Sequence, residues 1–75
     1  GKRSQQWGVL LPDLSAPFYA TVMSAIEEAA FELDVQLTVG QTLNDPEREQ
    51  ALLARWGRHI SGLITFPVHP ESASV

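Results

Sequence analysis

The sequence predicts an α/β fold, a β-α-β-α-β run around one parallel sheet, and three observations predict it. Short apolar runs recur at residues 7–11, 35–39 and 60–66, stretches with helical spacing separate them, and proline or glycine marks each change of period. Strands alternating with helices of this length require right-handed crossovers and a doubly wound sheet.

Residues 1–6 are polar, with Lys2 and Arg3 basic. Trp7-Gly8-Val9-Leu10-Leu11 is a continuous apolar run, as in a strand covered on both faces, and Pro12 stops it. Residues 12–17 form a loop whose last member, Pro17, suits the first position of a helix because its missing N–H would be unpaired there anyway. Phe18, Val22, Ile26, Ala29, Ala30 and Leu33 give that helix an inward face, with Thr21, Ser24, Glu27, Glu28 and Glu32 on the other side. Val35-Gln36-Leu37-Thr38-Val39 alternates as a strand does, and Gly40 punctuates its end. Asp45 before Pro46 is a helix-start signal, Glu47 and Glu49 suit the positive helix end, and Leu52, Leu53 and Trp56 turn inward from this second helix. It ends over residues 57–59, where a glycine and basic residues fit a C-terminus. The third strand, residues 60–66, contains Gly62, a mark of close approach by a neighbour, and Pro67 ends it.

With 75 residues the chain holds at most one small domain. Its 44% hydrophobic and 19% charged residues are a globular balance, and the absence of cysteine excludes disulfides and thiolate metal sites. A net charge of −4 argues against this segment gripping a phosphate backbone. The longest apolar stretches, about five residues, fall far short of the roughly 20 that span a bilayer, and nothing resembles a signal peptide. An open α/β sheet normally continues past a third strand, so the chain is expected to be a fragment, with Trp7, Leu37 and Trp56 short of cover.

Ligands of open α/β sheets bind beyond the carboxyl ends of the strands, here loops 12–17, 40–46 and 67–70. The first loop offers Asp13 and Ser15 beside Phe18 and Tyr19, the pairing of hydrogen-bonding groups with aromatic faces that a sugar site needs. Three of these residues also have a purely structural reading, Ser15 as a helix cap, Asp13 as a turn residue and Phe18 as core, whereas Tyr19 is less easily accounted for that way. Asn44 and Asp45 could reach a ligand from the second loop, although capping alone accounts for Asp45. His59 and His69 lack a carboxylate at ligand spacing, so no metal site is expected. No Gly-x-Gly-x-x-Gly or P-loop pattern follows a strand, and neither Ser15 nor Ser61 sits in a nucleophile elbow. No cofactor and no enzymatic activity are expected.

The run Gly8-Val9-Leu10-Leu11-Pro12-Asp13-Leu14-Ser15-Ala16-Pro17-Phe18-Tyr19 resembles the opening of the effector-binding core of the lactose-repressor (LacI/GalR) family of transcription regulators. The resemblance continues through Ile26-Glu27-Glu28-Ala29-Ala30, Asn44-Asp45-Pro46-Glu47-Arg48-Glu49 and Ile60-Ser61-Gly62-Leu63-Ile64, covering nearly the whole chain. It implies a periplasmic-binding-protein-like (type 1) core of two α/β lobes, with a sugar or nucleoside-like effector in the cleft between them. Residues 7–75 would be a fragment of the N-terminal lobe. Residues 1–6 would be the linker from a helix-turn-helix domain, absent here, that binds operator DNA. The resemblance further implies a homodimer, a cytoplasmic location and no membrane partner. Phe18 and Tyr19 match the family's aromatic pair at the start of the first helix, of which at least one commonly faces the effector, and Asp13 and Ser15 match polar positions in the same loop. Ala16 departs from the pattern, since the family often has Asn there, and the missing amide removes a helix cap and a sugar hydrogen bond. Ser61 likewise stands where Asp is common. The alternative, a periplasmic sugar-binding protein of a transport system, has the same fold and cleft; Lys2-Arg3-Ser4 and Glu47-Arg48-Glu49-Gln50 resemble the regulators more. A small enzyme or receiver-like module would need an acidic cluster or nucleophile at the strand ends, which Asp13 alone does not supply.

Overall fold

A computed structural model describes residues 5–66. In chain order these form β1 (Gln5–Leu11), α1 (Pro17–Leu33), β2 (Val35–Gln41), α2 (Pro46–Trp56), a 3-10 turn (Gly57–His59) and β3 (Gly62–Thr65). The strands make one parallel sheet in the order β2-β1-β3, with Val9 opposite both Val39 and Ile64. This is the β-α-β-α-β arrangement that the alternation of periods predicts.

All three strands differ in their bounds from the sequence reading. β1 begins at Gln5, ahead of the apolar run, because the backbone groups of Gln5 and Gln6 pair with Val35 and Gln36 whatever their side chains, and Gln6 Nε2 also donates to Thr38 Oγ1 at 2.6 Å. β2 runs on through Gly40 to Gln41, in register with Leu10 and Leu11. β3 is shorter than expected: the chain leaves α2 through the 3-10 turn, Ser61 N–H reaches Gln6 O at 2.7 Å, and the register with β1 then runs from Gly62 opposite Trp7. The indole lies against Gly62, where an added Cβ would stand 2.8 Å from Trp7 Cε2, so this glycine marks the close approach that its place in a strand suggested.

The two crossovers step in opposite directions, from β1 to its neighbour β2 and then from β2 back past β1 to β3, so right-handed connections put their helices on opposite faces. On the α1 face, Val9, Leu11 and Met23 are buried together, with Tyr19, Ile26, Leu37, Ile64 and Phe66 packed against them. The opposite face is a recess made by two glycines. A Cβ at Gly8 would lie 2.6 Å from Trp56 Cζ3, and one at Gly40 would lie 3.1 Å from Trp56 Cζ2 and 3.0 Å from Leu52 Cδ1. Trp56 fills the recess and is 8% exposed. Of the three residues expected to lack cover, it is buried, while Trp7 and Leu37 are half-buried.

The inward face of α1 is rotated from the one its apolar residues suggested. Tyr19, Met23, Ile26 and Ala30 make the packed stripe, whereas Phe18, Ala29 and Leu33 are exposed, Phe18 by 65%. Adjacent helical residues stand about 100° apart, so Phe18 and Tyr19 cannot both face the sheet, and the core takes Tyr19. No helix among the described residues is long and apolar enough to cross a membrane.

Candidate functional site

Because β1 feeds a helix on one face while β3 lies on its other side, the carboxyl ends of β1 and β3 flank a switch point, where an open sheet offers a crevice. The β1–α1 loop, residues 12–16, forms one rim. There Asp13 Oδ1 accepts from the backbone N–H of Ser15 at 2.9 Å and from its hydroxyl at 2.7 Å. The second carboxylate oxygen has no partner among the described residues. Ser15 is therefore not the helix cap. The N-cap is Ala16, in extended conformation with no side-chain hydrogen bond, and α1 starts without the amide cap that an Asn there would supply.

The two bonds from Ser15, first the hydroxyl and then the amide, hold the Asp13 carboxyl below the usual aspartate range, outweighing a small opposing effect of desolvation. A depressed folded-state pKa contributes stability that is present above the ordinary value and is lost as pH falls through the depressed one. The carboxylate form that strengthens the Asp13–Ser15 turn is thus held at neutral pH, and the turn weakens as acid protonates it. An NMR titration should find Asp13 titrating below ordinary aspartates, and Ser15→Ala should move the midpoint back up; equal midpoints in the two proteins would contradict the assignment.

The aromatic pair follows in the first turn of α1. The Phe18 ring stands 4.9 Å from Tyr19 at 80°, and Tyr19 stands 5.4 Å from Phe66 at 81°. Edge-to-face rings thus run from an exposed rim into the core. Phe18 as a core residue is ruled out by its exposure; Tyr19 is half-buried against the core cluster. Phe66 was not singled out by sequence reasoning, although its place just before Pro67 at a strand's carboxyl end is the signal. Its N–H donates to Leu10 O at 2.9 Å, which carries the sheet one residue beyond β3.

The second loop is tied to the first. Thr42, fully buried, donates its N–H to Leu11 O at 2.8 Å, and Leu43 donates to Pro12 O at 2.8 Å. Asp45 N–H then closes on Thr42 O at 2.9 Å around Leu43 and Asn44, both at positive φ (53° and 58°), a mirror-image type I turn. Asp45 caps α2 by accepting from Glu47 N–H at 3.0 Å, the structural role its position before Pro46 suggested. Among the described residues no group of three or more His, Cys, Asp and Glu could hold a metal ion. His69 and the third candidate loop, 67–70, lie outside the described residues, as do Lys2 and Arg3.

Residues 4–66 match the family described as periplasmic binding proteins and sugar binding domain of LacI family. The chain belongs to this family. It is 41% identical over 49 residues to the HTH-type transcriptional regulator DegA of Bacillus subtilis (strain 168), an alignment covering 65% of this chain and 14% of that protein. It is 27% identical over 67 residues to the HTH-type transcriptional repressor PurR of Klebsiella pneumoniae (strain 342), covering 87% of this chain and 20% of the repressor. The chain thus spans a fifth or less of the length of these LacI-family relatives. The family assignment agrees with the parallel β2-β1-β3 sheet and its β-α-β-α-β order, a periplasmic-binding-protein-like arrangement.

Proposed function

We propose that this chain is part of the N-terminal lobe of the effector-sensing domain of a bacterial LacI-family transcriptional regulator, in which a sugar or related small molecule modulates operator DNA binding. The observation that carries the reading is the exposed Phe18 ring beside the Asp13–Ser15 turn at the switch point of the sheet. Phe18 offers a ring face to the apolar side of a sugar. The second Asp13 oxygen accepts from a ligand hydroxyl, and the Ser15 oxygen retains acceptor capacity. Tyr19 backs Phe18 and reaches the same rim. A second lobe supplies the opposite wall of the cleft.

In the whole protein, the residues ahead of β1 belong to the linker from a helix-turn-helix domain that holds operator DNA, a linker two residues shorter than the 1–6 expected because Gln5 and Gln6 pair in the sheet. The regulator is a cytoplasmic homodimer, and it performs no catalysis and needs no cofactor. Two HTH-type regulators among the relatives support this over a periplasmic sugar-binding protein, which the same family description also covers. The coding sequence upstream of Gly1 separates the two: a helix-turn-helix selects the regulator, a signal peptide the transport protein.

The site is tested by calorimetry on the full-length protein against a panel of mono- and disaccharides and nucleosides. Phe18→Ala is expected to weaken the ligand so found by about tenfold or more, about 1.4 kcal/mol, while leaving the melting temperature in place because the ring is exposed. Unchanged affinity in a folded Phe18→Ala protein would remove Phe18 from the site.

A further inference from the structure

Gln41, at the end of β2, reaches across to the β1–α1 loop, where its Oε1 accepts from the backbone N–H of Leu14 at 2.8 Å. The other two amides of this loop with acceptors are bonded within it: Ser15 to the Asp13 side chain, and Ala16 to Asp13 O at a long 3.3 Å. Those bonds shape the loop yet move with it. α1 has no side-chain cap to anchor the loop from the helix side. Apart from Leu43 N–H on Pro12 O at the loop's start and the amides of Tyr19 and Ala20 on Ala16 O at its end, the Gln41 contact is, among the described residues, the hydrogen bond that ties the middle of the loop to another element.

Gln41 is itself well placed to serve as an anchor. Its backbone is in register with Leu11 in the sheet, and its carbonyl accepts from Arg48 Nε of α2 at 2.6 Å. Three elements are joined in series: α2 through Arg48, β2 through Gln41, and the loop through Leu14.

We infer that Gln41 is a positioning residue for the effector loop, setting the Asp13–Ser15 turn and the first turn of α1 by its bond to Leu14. This rests on the proposed effector reading for the importance of the loop, while the positioning itself is independent of any ligand. The contact uses only an acceptor oxygen, so a glutamate would preserve it and an alanine would not. The bond is exposed, and its loss leaves the Leu14 amide free to find water, so stability changes little while the loop loosens.

The test is hydrogen–deuterium exchange on the full-length protein without ligand, in wild type, Gln41→Ala and Gln41→Glu. Gln41→Ala is expected to speed exchange at residues 13–16 about tenfold or more while the amides of β1 and β2 keep their protection, and Gln41→Glu is expected to restore the wild-type rate. Unchanged exchange at residues 13–16 in Gln41→Ala, acceleration spread evenly over the sheet, or no rescue by glutamate would overturn the inference. Because no effector enters the measurement, it can fail while the Phe18 result stands, and the reverse.

Discussion

Trp56→Ala is expected to lower stability by about 3–5 kcal/mol, read as a fall in the urea midpoint. The indole is the one large buried side chain of α2, and it lies on the bare backbone of two adjacent strands at Gly8 and Gly40, beside Leu52 and Ile60. The surfaces below it are glycines with no side chain to fill the space, which leaves only the Leu52 and Ile60 methyls at its margin to relax toward it. A small domain has only about 5–15 kcal/mol in total, so the loss approaches unfolding. Gly8→Ala gives the complementary result. Its methyl would stand 2.6 Å from the ring, and overpacking of that kind costs about 1–3 kcal/mol. In the Trp56→Ala background the same methyl enters an emptied recess, so the two effects should be strongly non-additive. A Trp56→Ala cost under about 1 kcal/mol, or additive effects, would contradict this packing.

Tyr19→Ala is the second large effect, expected at about 2–4 kcal/mol by analogy with buried aromatic truncations and reduced for partial exposure. It removes both edge-to-face contacts, with Phe18 and with Phe66, and uncovers the Val9–Leu11–Met23 cluster. Tyr19→Phe keeps the ring, and the hydroxyl has no hydrogen-bond partner among the described residues, so its stability should match wild type. Thermal unfolding of Phe18→Ala, Tyr19→Ala and Tyr19→Phe side by side checks the division of labour: adjacent aromatics, one holding the lobe together and one facing outward. Equal destabilisation by Phe18→Ala and Tyr19→Ala would contradict it.

The contrast between these two residues also shows what the sequence could carry. Strand and helix identity follow from periodicity and from the proline and glycine stops, which are local, and the paired α2 signals at Asp45 and Pro46 act as read. Which residue of Phe18 and Tyr19 faces the core is set by the rotation of α1 on the sheet, a tertiary quantity that a stripe of apolar residues fixes only to within about one position. The strand ends moved for a similar reason. Gln5, Gln6 and Gln41 pair through backbone groups, and β-pairing is indifferent to the polarity that composition records. Asp13 and Ser15 were legible as polar groups at a strand's carboxyl end; their mutual hydrogen bond was not, since it turns Ser15 away from the cap position that its sequence context suggested. Gln41 was invisible as part of the site, because its partner lies 27 residues away and an isolated Gln at a strand end carries no pattern.

The strand order has a consequence on the ribosome. β1 is made first but sits in the middle, so its two neighbours reach it at different times: β2 after one helix, β3 after two. Synthesis proceeds at about 5–20 residues per second, so the stretch between the end of β2 and the start of β3 takes roughly one to four seconds to appear. During that interval one edge of β1, bearing Gly8, Val9 and Leu10, has its pairing groups open, and an open apolar edge can recruit a strand from another nascent chain. The most buried of these three strands is thus the one most exposed to mispairing while the chain is being made.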